Sequence, residues 1–140
     1  MLKSEHFEFS IFDFVNPPDL RLERFVEGRM IDWERITELR DEVGAEDFGE
    51  VIELFLDEVD AVLERLKTEP NPAAFEDDFH FLKGSALNLG FATFSKLCTA
   101  YERAAAAGDF DTIEIAVALE SYAESKAAFS VRAQEFGLAA

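Results

Sequence analysis

His80, Lys83 and Gly84 stand at a spacing that can do chemistry. On an α-helix, positions i, i+3, i+4 and i+7 share a face, so these residues would lie together, with Glu76 one turn before and Leu87 two turns after. The imidazole is a nucleophile usable near neutral pH. Lys83 is a flexible cation within reach of any anion attached to that ring. Gly84 removes a side chain beside it, which would let the backbone of a partner approach closely.

The element that must position them is a helix with one buried stripe. At about 100° per residue, Phe75, Phe79, Leu82, Ala86 and Leu89 fall within a single arc, the face a bundle helix buries. His80 points roughly 145° away from the middle of that stripe by the same count. It is expected to face water.

These residues resemble the signature of the histidine-containing phosphotransfer (HPt) family, a His-x-x-Lys-Gly pattern followed by small residues and a glycine at the helix end. The match runs through His80, Lys83, Gly84, Ser85, Ala86 and Gly90, then Leu97-Cys98 and Tyr101-Glu102 on the next helix, and covers roughly residues 32–129. The resemblance implies an all-α, antiparallel four-helix bundle whose exposed histidine accepts a phosphoryl group from a receiver-domain aspartate and passes it to another. By that match His80 is the phosphorylated residue and Lys83 stabilises the phosphate. Gly84, with Leu87 and Glu76, forms the docking face. Many members carry a polar Gln or Glu near the histidine, and here that position is Glu102. A carboxylate there can orient the neutral ring through its N–H, yet would repel a phosphate. The implied partners are response-regulator receiver domains and a hybrid histidine kinase. The carrier is expected to need no cofactor, since the receiver brings the Mg²⁺.

Composition agrees with such a role. The chain has 140 residues, 49% of them hydrophobic, enough for a single core. Thirteen basic and thirty acidic side chains give a net charge of −17. That balance argues against nucleic acid and anionic membrane surfaces, both of which are bound through Lys/Arg patches. A lone Cys98 cannot form an internal disulfide, and it reads as a small buried hydrophobe. The first residues lack the uninterrupted apolar core of a signal peptide, and no run reaches the ~20 apolar residues of a membrane span, so a cytoplasmic, soluble protein is expected. A monomer is expected as well.

Along the chain, residues 1–31 read as an N-terminal extension packing on the bundle, and residues 32–140 as the bundle domain. Phe7, Phe9, Ile11 and Phe14 make an aromatic segment, His6 beside them has no ligand partners, and a short helix is expected over 19–26 after Asn16-Pro17-Pro18. Asp32 caps a helix carrying Trp33, Ile36, Leu39 and Val43, which Gly44 stops. A long helix begins at Glu46-Asp47, burying Val51, Ile52, Phe55, Val59, Val62, Leu63 and Leu66. Its other side, Glu50, Glu53, Asp57, Asp60 and Glu64, reads as a solvated face rather than a metal or acid–base site, because no histidine ligands accompany it. Pro70-Asn71-Pro72 separates it from the His80 helix. Gly90 then permits a tight reversal into a helix with Phe94, Leu97, Cys98 and Tyr101 inward. The last helix, from about Asp111, is expected to bury Ile113, Ala116, Val117, Tyr122 and Phe129 and to fray near Phe136-Gly137.

Two other readings carry distinct signatures. An adaptor would keep the bundle and grip a signalling partner without phosphotransfer. A di-metal carboxylate enzyme needs Glu-x-x-His pairs on separate helices, which this chain lacks. It also has no Gly-rich nucleotide loop, so it reads as a phosphocarrier rather than an ATP-dependent kinase. A histidine-kinase dimerisation helix would place an acid straight after its histidine; here Phe81 follows.

Overall fold

The computed structural model describes residues 30–136. The expected aromatic segment, the helix over 19–26, His6 and the end beyond residue 136 lie outside the described residues.

Five α-helices follow: α1 Trp33–Val43, α2 Ala45–Thr68, α3 Phe75–Leu89, α4 Ala92–Ala106 and α5 Ile115–Arg132. The Asp32 side chain accepts a hydrogen bond from the Arg35 backbone N–H at 3.2 Å and so caps α1, satisfying a donor the helix cannot. Gly44, with φ 91°, ends α1 and leads directly into α2. Asn71 accepts from the Ala73 N–H and opens a 3₁₀ turn, Pro72–Ala74, that feeds α3. The four longer helices form an antiparallel ring, α2 against α3, α3 against α4, α4 against α5 and α5 back against α2, while α1 lies on α2 and α3. The α3–α4 contact is the most extensive, as a two-residue connection requires.

The expected stripes line the core. Phe75, Phe79, Leu82, Ala86 and Leu89 of α3 are all buried, as are Val51, Ile52, Phe55, Val59, Leu63 and Leu66 of α2; Val62 is only partly buried against them, and Phe48, outside the expected set, is buried too. Each fully buried Phe or Leu contributes roughly 1.5–3 kcal/mol of apolar burial. Phe79 meets Tyr101 of α4 edge-on at 5.3 Å between centroids, and Trp33 of α1 stacks on Phe129 of α5 at 5.8 Å. The acidic face of α2 is exposed as expected.

The last helix corrects the sequence reading. Residues Phe110–Thr112 form a separate 3₁₀ turn, and the α-helix begins only at Ile115. Its buried side runs Ala118, Tyr122, Ser125 and Phe129, spaced four, three and four, whereas Ala116 and Val117 are exposed.

A backbone clip closes the domain. The Asp32 N–H donates to the Gly90 carbonyl at 2.7 Å and the Ala92 N–H to the Met30 carbonyl at 2.9 Å, with an antiparallel bridge between Ile31 and Phe91. Gly90 has φ 73°, a left-handed conformation that lets α3 reverse into α4.

Candidate functional site

Because the buried stripe of α3 fixes its rotation, His80 is turned outward. Its side chain is 46% exposed. The short turn at Gly90 brings α4 alongside, antiparallel, so Glu102, twenty-two residues later in the chain, stands opposite His80. Glu102 Oε2 lies 2.9 Å from His80 Nδ1, and Oε1 lies 2.8 Å from Lys83 Nζ. The carboxylate therefore bridges the imidazole and the ammonium, one oxygen to each.

Electrostatics give these contacts a direction. Partial burial pushes the Glu102 carboxyl up, but the hydrogen bonds from Lys83 and then His80, with their charges, outweigh it and hold it below the ordinary carboxylate value. Glu102 is thus ionised at neutral pH and can only accept, so Nδ1 carries the proton. The neutral ring then has its lone pair on Nε2, which makes no hydrogen bond among the described residues. What results is an outward nucleophilic nitrogen on a ring held from behind.

Lys83 sits where its spacing predicts, one turn from His80, but it is 23% exposed and engaged with Glu102 rather than standing open. Glu76 is exposed one turn before the histidine. Gly84 and Leu87, expected on the open outer face, are instead buried. Leu87 is 7% exposed and packs with Ala92. The physical reason is that residues 84–92 are buried without a break, so the end of α3 is enclosed on all sides and a face inferred from periodicity no longer reaches solvent there.

Two polar features behind the site escaped the sequence reading. Arg35 of α1, only 2% exposed, donates from Nη2 to Asn88 Oδ1 at 2.7 Å and contacts Glu42 and Glu38 at 3.3 Å. Asn88 in turn donates from Nδ2 to the Gly84 carbonyl at 3.0 Å, beside Lys83. Asp78, one of the three acids Glu76, Asp77 and Asp78 in the first turn of α3, is buried and bound at 2.7 Å by Arg65 of α2. Only the hydrogen-bonding types of Arg35 and Asn88, at buried register positions, would have signalled their pairing. Cys98 is buried one turn before Glu102; burial and then the Glu102 charge push its thiol up, away from reactivity.

Among the described residues no helix is long and apolar enough to cross a membrane, and no group of three or more His, Cys, Asp or Glu side chains gathers as a metal site. A groove of about 440 Å³ between α2 and α5, lined by Glu53, Leu56, Lys126 and Phe129 among others, belongs to the other side of the ring from the α3–α4 pair.

The family model of the Hpt domain matches residues 50–129, more than half of the chain and all of α3 and α4. The chain belongs to the Hpt domain family. No curated protein and no solved structure matches it. Hpt domains are the phosphotransfer domains of two-component signalling, phosphocarriers rather than kinases, and they work with receiver domains and histidine kinases. The matched stretch contains His80, Lys83, Gly84 and Glu102. In this Hpt domain the polar neighbour on α4 is a carboxylate that holds both histidine and lysine.

Proposed function

We propose that the protein is a relay intermediate that takes a phosphoryl group from a receiver-domain aspartate onto His80 Nε2 and gives it to the aspartate of another receiver. The observation that carries this reading is the outward imidazole of His80, fixed at Nδ1 by Glu102 within the stretch that matches the Hpt family.

In the accepting step the Nε2 lone pair attacks phosphorus as the bond from phosphorus to the aspartyl oxygen breaks, and the receiver carboxylate leaves. Glu102 presents the correct nitrogen, a matter of orientation. Lys83, one turn away, can swing from Glu102 toward the incoming phosphoryl oxygens and offset their charge. The receiver supplies Mg²⁺, and the carrier binds no cofactor of its own. Glu76 and the rim around His80 meet the receiver; Gly84 and Leu87 act from beneath, by shaping the end of α3.

The test is incubation with a phosphorylated receiver, followed by detection of acid-labile label. Label on wild type and none on His80→Gln supports the assignment. Transfer that survives His80→Gln refutes it. An adaptor without phosphotransfer would bind the receiver and take no label at all.

A further inference from the structure

We infer that Glu102 keeps the Nδ1 proton on the His80 ring after phosphorylation as well as before, so that the phosphoryl group is held in a readily transferred form rather than stored. This rests on the phosphocarrier reading above and concerns how long the phosphorylated state lasts.

The reason lies in what a carboxylate can and cannot do. Once Nε2 carries phosphorus, a neutral ring must have a lone pair at Nδ1. Glu102 Oε2 stands 2.9 Å from that nitrogen, and an ionised carboxylate has no hydrogen to offer. Two lone pairs would then face each other across a hydrogen-bond distance. Retaining the proton turns the same contact into a charge-assisted hydrogen bond from a cationic ring. Glu102 has little room to turn away even when Lys83 leaves it for the phosphate, because its side chain is only 20% exposed and Oε2 stands against Nδ1. An amide at this position behaves differently. It can rotate and donate its N–H to an unprotonated Nδ1, which accommodates the neutral phosphorylated ring.

The chemistry balances without proton movement. On arrival the Nε2–P bond forms and the aspartyl O–P bond breaks, leaving an N-phosphoimidazolium with its proton on Nδ1. On departure the Nε2–P bond breaks, its electron pair returns to Nε2, and the neutral Nδ1–H ring is restored. A cationic ring is the better leaving group, so keeping the proton speeds both transfer and loss to water.

The other charges around His80 do not replace this contact. On α3, Glu76 and Asp77 are exposed a turn before it and Lys83 is paired with Glu102. From α2, Arg65 is closed on Asp78; from α1, Arg35 is engaged by Asn88, Glu42 and Glu38; on α4, Arg103 beside Glu102 is exposed.

Wild type, Glu102→Gln and Glu102→Asp can be phosphorylated with phosphoramidate and the loss of phosphohistidine followed by ³¹P NMR across the pH range. At neutral pH Glu102→Gln should hold its phosphate roughly threefold to tenfold longer, the factor expected from about one unit of change in the proton affinity of Nδ1. Its acid-accelerated loss should begin at lower pH, and Glu102→Asp should stay nearer wild type. Equal half-lives and pH profiles for wild type and Glu102→Gln would overturn the inference while leaving the carrier reading intact. If wild type takes no phosphate on His80, the carrier reading falls and the inference with it. A direct measurement needs no variant: ¹⁵N NMR of the phosphorylated wild type should show Nδ1 protonated at about pH 8, well above the ordinary histidine value of about 6.5. An unprotonated Nδ1 there overturns the inference.

Discussion

Arg35 Nη2 donates to Asn88 Oδ1 at 2.7 Å, joining α1 to the turn of α3 that follows Lys83. Both residues are buried, and the guanidinium has no other buried acceptor among its described hydrogen bonds, since Glu38 and Glu42 are half in solvent. Removing Asn88 alone leaves a buried charge short of a partner, whereas removing both members leaves an apolar contact.

A double-mutant cycle should expose that asymmetry. Asn88→Ala is expected to cost about 2–3 kcal/mol in urea unfolding. Arg35→Met combined with Asn88→Leu should cost clearly less than the two single changes added. Strict additivity would mean that the 2.7 Å contact carries no coupling.

Lys83→Ala should slow phosphoryl transfer onto His80 by about tenfold, the factor that loss of a charge-assisted hydrogen bond of roughly 1.5 kcal/mol gives. Helicity by circular dichroism should not change, because Lys83 is no part of the buried stripe. Unaltered transfer kinetics from a phosphorylated receiver would remove its assigned part.

Gly90→Ala tests the clip. A Cβ there would stand 2.6 Å from the Asp32 carbonyl oxygen and 3.2 Å from Ile36 Cγ1, at φ 73°. The left-handed backbone costs a side chain roughly 1–2 kcal/mol and displacement of the clip roughly 1–3 kcal/mol more. The denaturation midpoint should fall with little change in slope.

Glu102 should make stability depend on pH in a definite direction. Its carboxyl titrates lower in the folded protein than in the unfolded chain, so its contribution is present above the unfolded value and lost as pH falls through the folded one. Wild type should therefore exceed Glu102→Gln in stability at neutral pH, with the difference shrinking below about pH 4. A gap that persists unchanged in strong acid would contradict the contacts with Lys83 and His80 as its source.

Where apolar and polar residues contrast sharply, the sequence was readable. The α3 stripe, the Asp32 cap, the stops at Gly44 and Gly90, and the outward histidine all follow from 3.6-residue periodicity and capping chemistry. Contrast fails in α5, whose alanines make neighbouring registers nearly equivalent, so Ala118 rather than Ala116 or Val117 faces the core. It fails again at Gly84 and Leu87, because a helical wheel counts one neighbour and the end of α3 has several. Arg35 was illegible for another reason: a lone arginine on a helix is ordinarily solvated, and only the tertiary position of Asn88 makes burial tolerable. The Lys83–Glu102 contact required knowing how α4 lies against α3, which spacing along one helix does not contain.

His80 and Lys83 belong to α3 and Glu102 to α4, two helices joined at a single glycine turn. All three reactive groups are consequently carried by one hairpin. Their mutual placement is set by the Gly90 turn and the α3–α4 seam, while α1, α2 and α5 hold that hairpin in position, so chemistry falls to one seam and support to the rest of the small protein.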